Sequence, residues 1–278
     1  MVLDPRPSHV VAAEGAAGRP DEKISAVEAT KVYETKTGSV LALDRFSLGI
    51  RNSEFVCVLG PSGCGKTTLL WAMSGLHALT SGQILLDGEP VTGPRPDKIG
   101  MIFQEANLLP WRNLGQNIKF PFEIKGTTPD RDRIASLLEE TKLAGFEKSF
   151  PRELSGGMQQ RASIVRALAQ DPAVLLMDEP FGALDAFTRD EMNLLLLKLW
   201  SEARKTALFV THNVSEAIFL ADRVVVMTAR PGRHARTFEI DLPRPRTVEM
   251  TFEPSFIELI QEIKATVEGG SAHLLEVE

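Results

Sequence analysis

Cysteine and tyrosine are scarce in this chain, with two and one respectively among 278 residues. Cys57 and Cys64 fall in one short stretch, so a disulfide framework is excluded and a reducing compartment fits. Long apolar runs are also missing. The nearest, Leu194–Leu199, is interrupted by Lys198 and is far too short to cross a bilayer. The first residues lack the basic stretch and apolar core of an export signal, so a chain with neither membrane span nor visible signal is expected. Excess positive charge is absent too: a formal net charge of -6 argues against a broad nucleic-acid footprint, although a net count leaves room for a local basic groove.

What the chain does have is enough length for a full core, one large domain or two small ones. Residues 1–22, rich in Ala, Gly, Pro and Arg, show no apolar period and read as a disordered leader. Short strands are expected from about Ile24 to Ile50, where Val27, Tyr33, Val40, Leu41, Phe46 and Leu48 fall among turn formers. The stretch from Ser81 to Gly88 reads as a hairpin of the same antiparallel group.

The chemistry begins at Gly60-Pro61-Ser62-Gly63-Cys64-Gly65-Lys66-Thr67-Thr68, directly after the apolar run Phe55–Leu59. A buried strand thus feeds a loop of Gly-x4-Gly-Lys-Thr spacing that opens a helix. Such a loop turns its N–H groups inward around an anion, and the helix aims its positive end at the same point. Lys66 would reach the outer phosphates and the Thr67 hydroxyl a Mg²⁺ ion. Cys64 reads as packing in the loop, with a reactive thiol at the helix start as the alternative.

Phe55–Leu59 is one of five short, nearly continuous apolar runs, with Ile99–Phe103, Val174–Met177, Ala207–Val210 and Val224–Met227. Continuity without alternation is the pattern of strands buried on both faces of a parallel sheet. Four of the five end in groups that phosphate chemistry uses: Gly60 with its loop, Gln104, Asp178-Glu179 and Thr211-His212. Ligands of open α/β sheets bind beyond the carboxyl ends of the strands, so these endings are expected to converge. Between about 105 and 154 the pattern turns helical, read as an inserted subdomain. A long helix is expected from Thr188 to about Lys205, with Thr188 or Ala186 near its start and Asp190 and Glu191 in its first turn. From about Asp241 come a Pro/Arg linker and a helix over Pro254–Val267; the arginines at 230, 233, 236, 244 and 246 read as a solvated basic stretch, with anionic headgroups as a minor alternative.

A phosphate loop alone leaves kinases, GTPases, helicases and transport motors open. Leu154-Ser155-Gly156-Gly157-Met158-Gln159-Gln160 adds a second anion-seeking helix start: Ser155 can cap the helix, and Gly156 and Gly157 leave its N–H groups approachable. Spacing alone does not say whether both starts serve one phosphate within a chain or across two chains.

In the order of these motifs, completed by Ala183-Leu184-Asp185 and His212, the chain resembles the nucleotide-binding subunits of ABC transporters from about Ile24 to its end. The resemblance implies an α/β fold, a P-loop NTPase (RecA-like) core with a parallel sheet, an antiparallel β-subdomain and the inserted helical subdomain, within an ATPase domain over 23–240. It implies ATP and Mg²⁺, and a head-to-tail dimer, expected to be two copies of this chain, with each ATP between the loop of one subunit and the Ser155-Gly156-Gly157 tip of the other. Lys66 and the loop amides would hold the β- and γ-phosphates. Thr67, Gln104 and Asp178 would arrange Mg²⁺. Glu179 would polarise the attacking water, His212 would contact the γ-phosphate, Asp185 would communicate across the dimer, and Tyr33 would stack on adenine unless it serves the core.

Leu108, Leu109 and Trp111 fall where the family receives a helix of the membrane permease, or else in the helical core. The wording Leu108-Leu109-Pro110-Trp111, Thr211-His212-Asn213 and Ala229-Arg230-Pro231-Gly232-Arg233 is similar to the nitrate/sulfonate/taurine branch of bacterial importers, which implies a peripheral place on the cytoplasmic face of the inner membrane and, indirectly, a solute-binding protein. An exporter or envelope-maintenance ATPase shares the same core motifs. A soluble ATPase acting on DNA or ribosomes fits less well, since neither a long coiled coil nor a second cassette is present.

Overall fold

The computed structural model describes residue 19 and residues 21–36 and 38–272. The leader expected over 1–22 lies outside the described residues save for 19, 21 and 22, and at Glu22 the first strand already begins. Two sheets carry the fold. The first is antiparallel and built from β1 (Glu22–Thr35), β2 (Gly38–Arg51), β4 (Ser81–Leu86) and β5 (Glu89–Pro90), in the order β2-β1-β4-β5. The second has the order β10-β9-β3-β8-β7-β6, from β3 (Phe55–Leu59), β6 (Ile99–Ile102), β7 (Val174–Asp178), β8 (Thr206–Thr211), β9 (Arg223–Met227) and β10 (His234–Glu239); all its pairs are parallel except β10 with β9.

Side chains of the second sheet alternate between two apolar clusters. Phe55, Cys57 and Leu59 of β3 enter one, with Leu175, Met177 and Phe209; Val56 and Val58 enter the other, with Leu176, Leu208 and Val210. A strand with core on both faces has no polar side to show, which is why these stretches read as unbroken apolar runs. One face is covered by α4 (Gly156–Leu168), α5 (Ala186–Ala203), α6 (Val214–Leu220) and α7 (Pro254–Ala272), the other by α1 (Lys66–Met73) and the antiparallel sheet. The remaining helices, α2 (Leu114–Lys125) and α3 (Arg131–Glu140), fall in the stretch read as helical.

Four sequence expectations need correction. The short strands of 24–50 are two strands of fourteen residues each, whose apolar alternation is broken by register shifts near Glu28 and Arg45, both at positive φ. The long helix takes the earlier of its two expected starts, Ala186, capped by Asp185, so Asp190 and Glu191 lie beyond its first turn. The C-terminal helix runs on to Ala272 and docks through Phe256 and Ile263, both fully buried. Finally, most of the basic stretch is paired: Arg233 with Asp44, Arg236 with Glu262 and Arg244 with Asp222. Arg246 is buried and donates to the carbonyls of Ile218, Phe219 and Ala221, which the end of α6 leaves without helical partners. Burial pulls its guanidinium down to about 10.

Candidate functional site

The phosphate loop joins β3 to α1. Gly65 precedes the helix at φ 107, and a Cβ there would lie 2.7 Å from the Ala42 carbonyl oxygen, so the turn needs glycine twice over. No side chain caps α1. Its first N–H groups are therefore left for an anion, at the positive end of the helix. Lys66 is 5% exposed and folds back, its Nζ donating to the carbonyls of Gly60 (2.9 Å) and Pro61 (3.0 Å). Ser62 and Gly63 are exposed at the crown, and Arg230 reaches over from the β9–β10 loop to the Gly63 carbonyl at 3.4 Å. Cys64 is buried, and burial raises its thiol further from ionisation, which opposes the reactive-thiol alternative.

Beside this loop the strand ends meet. The Thr67 hydroxyl donates to Asp178 Oδ1 at 3.0 Å. Glu179 continues the ladder by donating its N–H to Val210, then turns at φ 42, which projects its carboxylate toward the loop: Oε1 is 3.7 Å from Lys66 Nζ and Oε2 2.8 Å from His212 Nδ1. Gln104 leaves the end of β6 exposed, and its Nε2 lies 3.7 Å from where a Cβ on Gly182 would stand, near Glu179. Burial pushes the Asp178 carboxyl up, with the Thr67 hydrogen bond opposing. A buried carboxylate of this kind gains from a cation, and a hydroxyl, a carboxylate and an amide give an oxygen-only donor set, so these residues fit Mg²⁺.

Tyr33 is half-buried against α1, its hydroxyl 3.4 Å from Thr68 Oγ1 and 3.3 Å from His77 Nδ1, with Lys31 Nζ 5.1 Å from the ring centre. His77 is a neighbour the sequence did not single out. Ser155 caps α4 by accepting from the Met158 N–H at 3.3 Å, and nothing lies within 4 Å of a Cβ placed on Gly156. Gly157 faces Thr188 of α5. Among the described residues no hydrogen bond or ion pair joins 155–157 to the phosphate loop. Asp185 is exposed at the cap of α5; the Thr188 N–H and hydroxyl hold its carboxyl below the usual range.

Three further residues carry roles the sequence did not assign, two of them through partners remote in sequence. Gln160 and Arg166, both on α4, hold the segment after β6: Gln160 donates to Phe103 O at 3.1 Å, and Arg166 to the carbonyls of Ala106 and Asn107, each at 2.8 Å. Asn117 does the same for Leu109, Arg112 and Asn113. Leu108 packs on the core, whereas Trp111 is 71% exposed.

A phosphate loop, an oxygen-rich cation corner and a carboxylate–imidazole pair around one point suit phosphoryl transfer to water, in which the catalyst positions and neutralises charge. Comparison with known proteins agrees. Residues 43–182 match the family model described as ABC transporter. An ABC transporter ATP-binding protein of Methanocaldococcus jannaschii is 49% identical over 227 residues, covering 81% of this chain and 84% of its own. The aliphatic sulfonates import ATP-binding protein of Bacillus cereus is 45% identical over 224 residues, covering 81% and 88%. Among solved structures, a dimeric ATP-binding cassette in a post-hydrolysis state with ADP and Pi superposes with a TM-score of 0.70 at 32% identity, over 79% of this chain and all of that one. The chain belongs to the ABC transporter family, as one of its ATP-binding subunits.

Proposed function

We propose that this ATPase drives import through a separate membrane permease, working as a head-to-tail dimer of two copies of this chain. The convergence of Lys66, Glu179 and His212 beside the Thr67–Asp178 pair carries the reading. In it, Lys66 exchanges its loop carbonyls for the β- and γ-phosphates of ATP, joined by the loop amides, and Tyr33 takes the adenine face. Glu179 accepts a hydrogen bond from the attacking water, and His212, linked to the same carboxylate, aligns the γ-phosphate. Thr67, Asp178 and Gln104 hold Mg²⁺, which when bound draws charge from the phosphate oxygens. Ser155 and Gly157 of the second copy meet the γ-phosphate from the far side, and Asp185 carries the state of one site to the other.

Among the described residues no helix is long and apolar enough to cross a membrane, so the permease would be a partner chain, docked around exposed Trp111 on the cytoplasmic face. The sulfonate-importer relatives favour a sulfonate, taurine, nitrate or similar small anion as solute, delivered by a binding protein. Glu179→Gln tests the chemistry: it is expected to trap an ATP-bound dimer with turnover lost by about 100-fold or more, and normal hydrolysis would remove Glu179 from the reaction. Reconstitution with the permease and binding protein tests the direction. ATP-dependent uptake of a sulfonate supports import, and uptake of none of these anions contradicts it.

A further inference from the structure

Glu216 is only 6% exposed, and its carboxylate is tied into the turn that carries His212. Its Oε2 accepts from the Thr211 hydroxyl at 2.5 Å; Thr211 Oγ1 in turn accepts the Asn213 N–H at 3.0 Å, and Asn213 Oδ1 accepts the Glu216 N–H at 3.1 Å. His212 lies inside this closed ring, so the carboxylate fixes the turn that presents the imidazole to Glu179.

The second part is held by Arg189. Its Nη2 donates to the Leu184 carbonyl at 2.7 Å and its Nε to the Phe181 carbonyl at 3.3 Å, which staples the segment between Glu179 and Asp185. Among the described residues Arg189 forms no ion pair within 4 Å. It lines a cavity of about 240 Å³ together with Glu216, between α5, α6 and residues 248–252, where Glu216 Oε1 and Asn193 Oδ1 have no hydrogen-bond partner among the described residues. The charged groups acting on Glu216 are Arg189 from α5, His212 after β8 and Glu179 after β7.

We propose that Glu216 and Arg189 are a positioning pair: their attraction sets the His212 turn and the Phe181–Asp185 segment at a fixed spacing around Glu179, so that both arms of the site are aligned together. Neither residue acts on nucleotide directly: Glu216 works through the Thr211 hydroxyl and Arg189 through the carbonyls of Phe181 and Leu184. The inference rests on the roles proposed above for Glu179 and His212. Burial raises the Glu216 carboxyl to about 6, against the pull of Thr211 and Arg189, so the pair is charged above that pH and loses its attraction below it.

The test is a double-mutant cycle on the full chain, reading kcat and KM for MgATP in the parent, Glu216→Gln, Arg189→Met and the double variant. Each single change is expected to lower kcat by about 10-fold with KM within about twofold, and the double variant to be no worse than the weaker single. Arg189→Lys should recover part of the loss. The parent-to-Glu216→Gln ratio should shrink toward one below about pH 6, because the parent then carries a neutral carboxyl as well. Losses that multiply, losses confined to KM, or a ratio flat with pH would overturn the pairing. Should Glu216→Gln unfold, Thr211→Val with Arg189→Met runs the same cycle on the hydroxyl arm, and multiplying losses there overturn it too. Glu179→Gln, run alongside, separates the two levels: if it hydrolyses normally the site reading fails, and if it is dead while the cycle is additive only the pairing fails.

Discussion

The two anion-seeking helix starts of this molecule are built to opposite plans. At the start of α1 the chain closes around its own loop: Gly65 is pressed against Ala42, Gly232 against the Cys64 carbonyl, and Lys66 is tucked inside. At the start of α4 the serine cap is in place, but Gly156 looks into open space and Ser155 is exposed. One start is enclosed by its own chain. The other is an open tip whose amides meet no hydrogen-bonding partner from the phosphate loop among the described residues. The difference is the one the proposed dimer accounts for: each chain would carry half of a site twice, and a second chain would complete either half.

The largest effect should follow from spoiling the open tip. Gly156→Asp meets no atom within 4 Å and places a carboxylate where the helix dipole favours it, so the melting temperature should hold or rise slightly by calorimetry. Hydrolysis should nonetheless fall by about 100-fold or more, since the carboxylate repels the phosphate it faces. A large loss of melting temperature instead would show the tip to be structural. Spoiling the cradle should act earlier. Lys66→Ala removes a charge-assisted contact of about 1.5–3 kcal/mol, so ATP affinity by calorimetric titration should fall about 10- to 100-fold; parent-like affinity would remove Lys66 from the phosphates.

Smaller effects sharpen the contrast. Ser155→Ala takes away the cap of α4 and should cost about 1 kcal/mol, seen as about 2–4 °C in melting temperature, with nucleotide affinity of the single chain unchanged. Least of all, Asp185→Asn keeps a good cap on α5 and removes only charge. Because the Asp185 carboxyl is held below its ordinary range by Thr188, its small contribution is present above the unfolded pKa and disappears as pH falls through the folded one. The two melting curves should therefore differ slightly near neutrality and coincide in acid; a gap that widens in acid would contradict the assignment.

The same contrast explains what the sequence could reveal. The parallel strands were legible because burial on both faces leaves a continuous apolar run, and the phosphate groups at their ends converge because the strands are parallel and adjacent. Gly60–Thr68 and Ser155–Gly157 were legible because helix starts announce themselves locally. What depends on remote partners was not. Arg246 reads as a solvated base until α6 is seen to end against it, and Arg166 as a helix surface until the segment after β6 lies under it. Asp185, singled out for a role between subunits, also caps α5, which puts Asp190 and Glu191 beyond the first turn where they were expected. The long first strands were hidden by residues at positive φ, which interrupt alternation without ending a strand.

Complementation in a mixed dimer tests the central claim most directly. Lys66→Ala and Gly156→Asp are each expected to hydrolyse ATP poorly alone; mixed, they would form heterodimers in which, on the shared-site reading, one site carries both lesions and the other carries neither. If each site is shared between chains, ATPase activity should reappear on mixing and peak near equal amounts. If each chain completes its own site, every site in the mixture keeps a lesion, and a mixture no more active than its components would contradict the account.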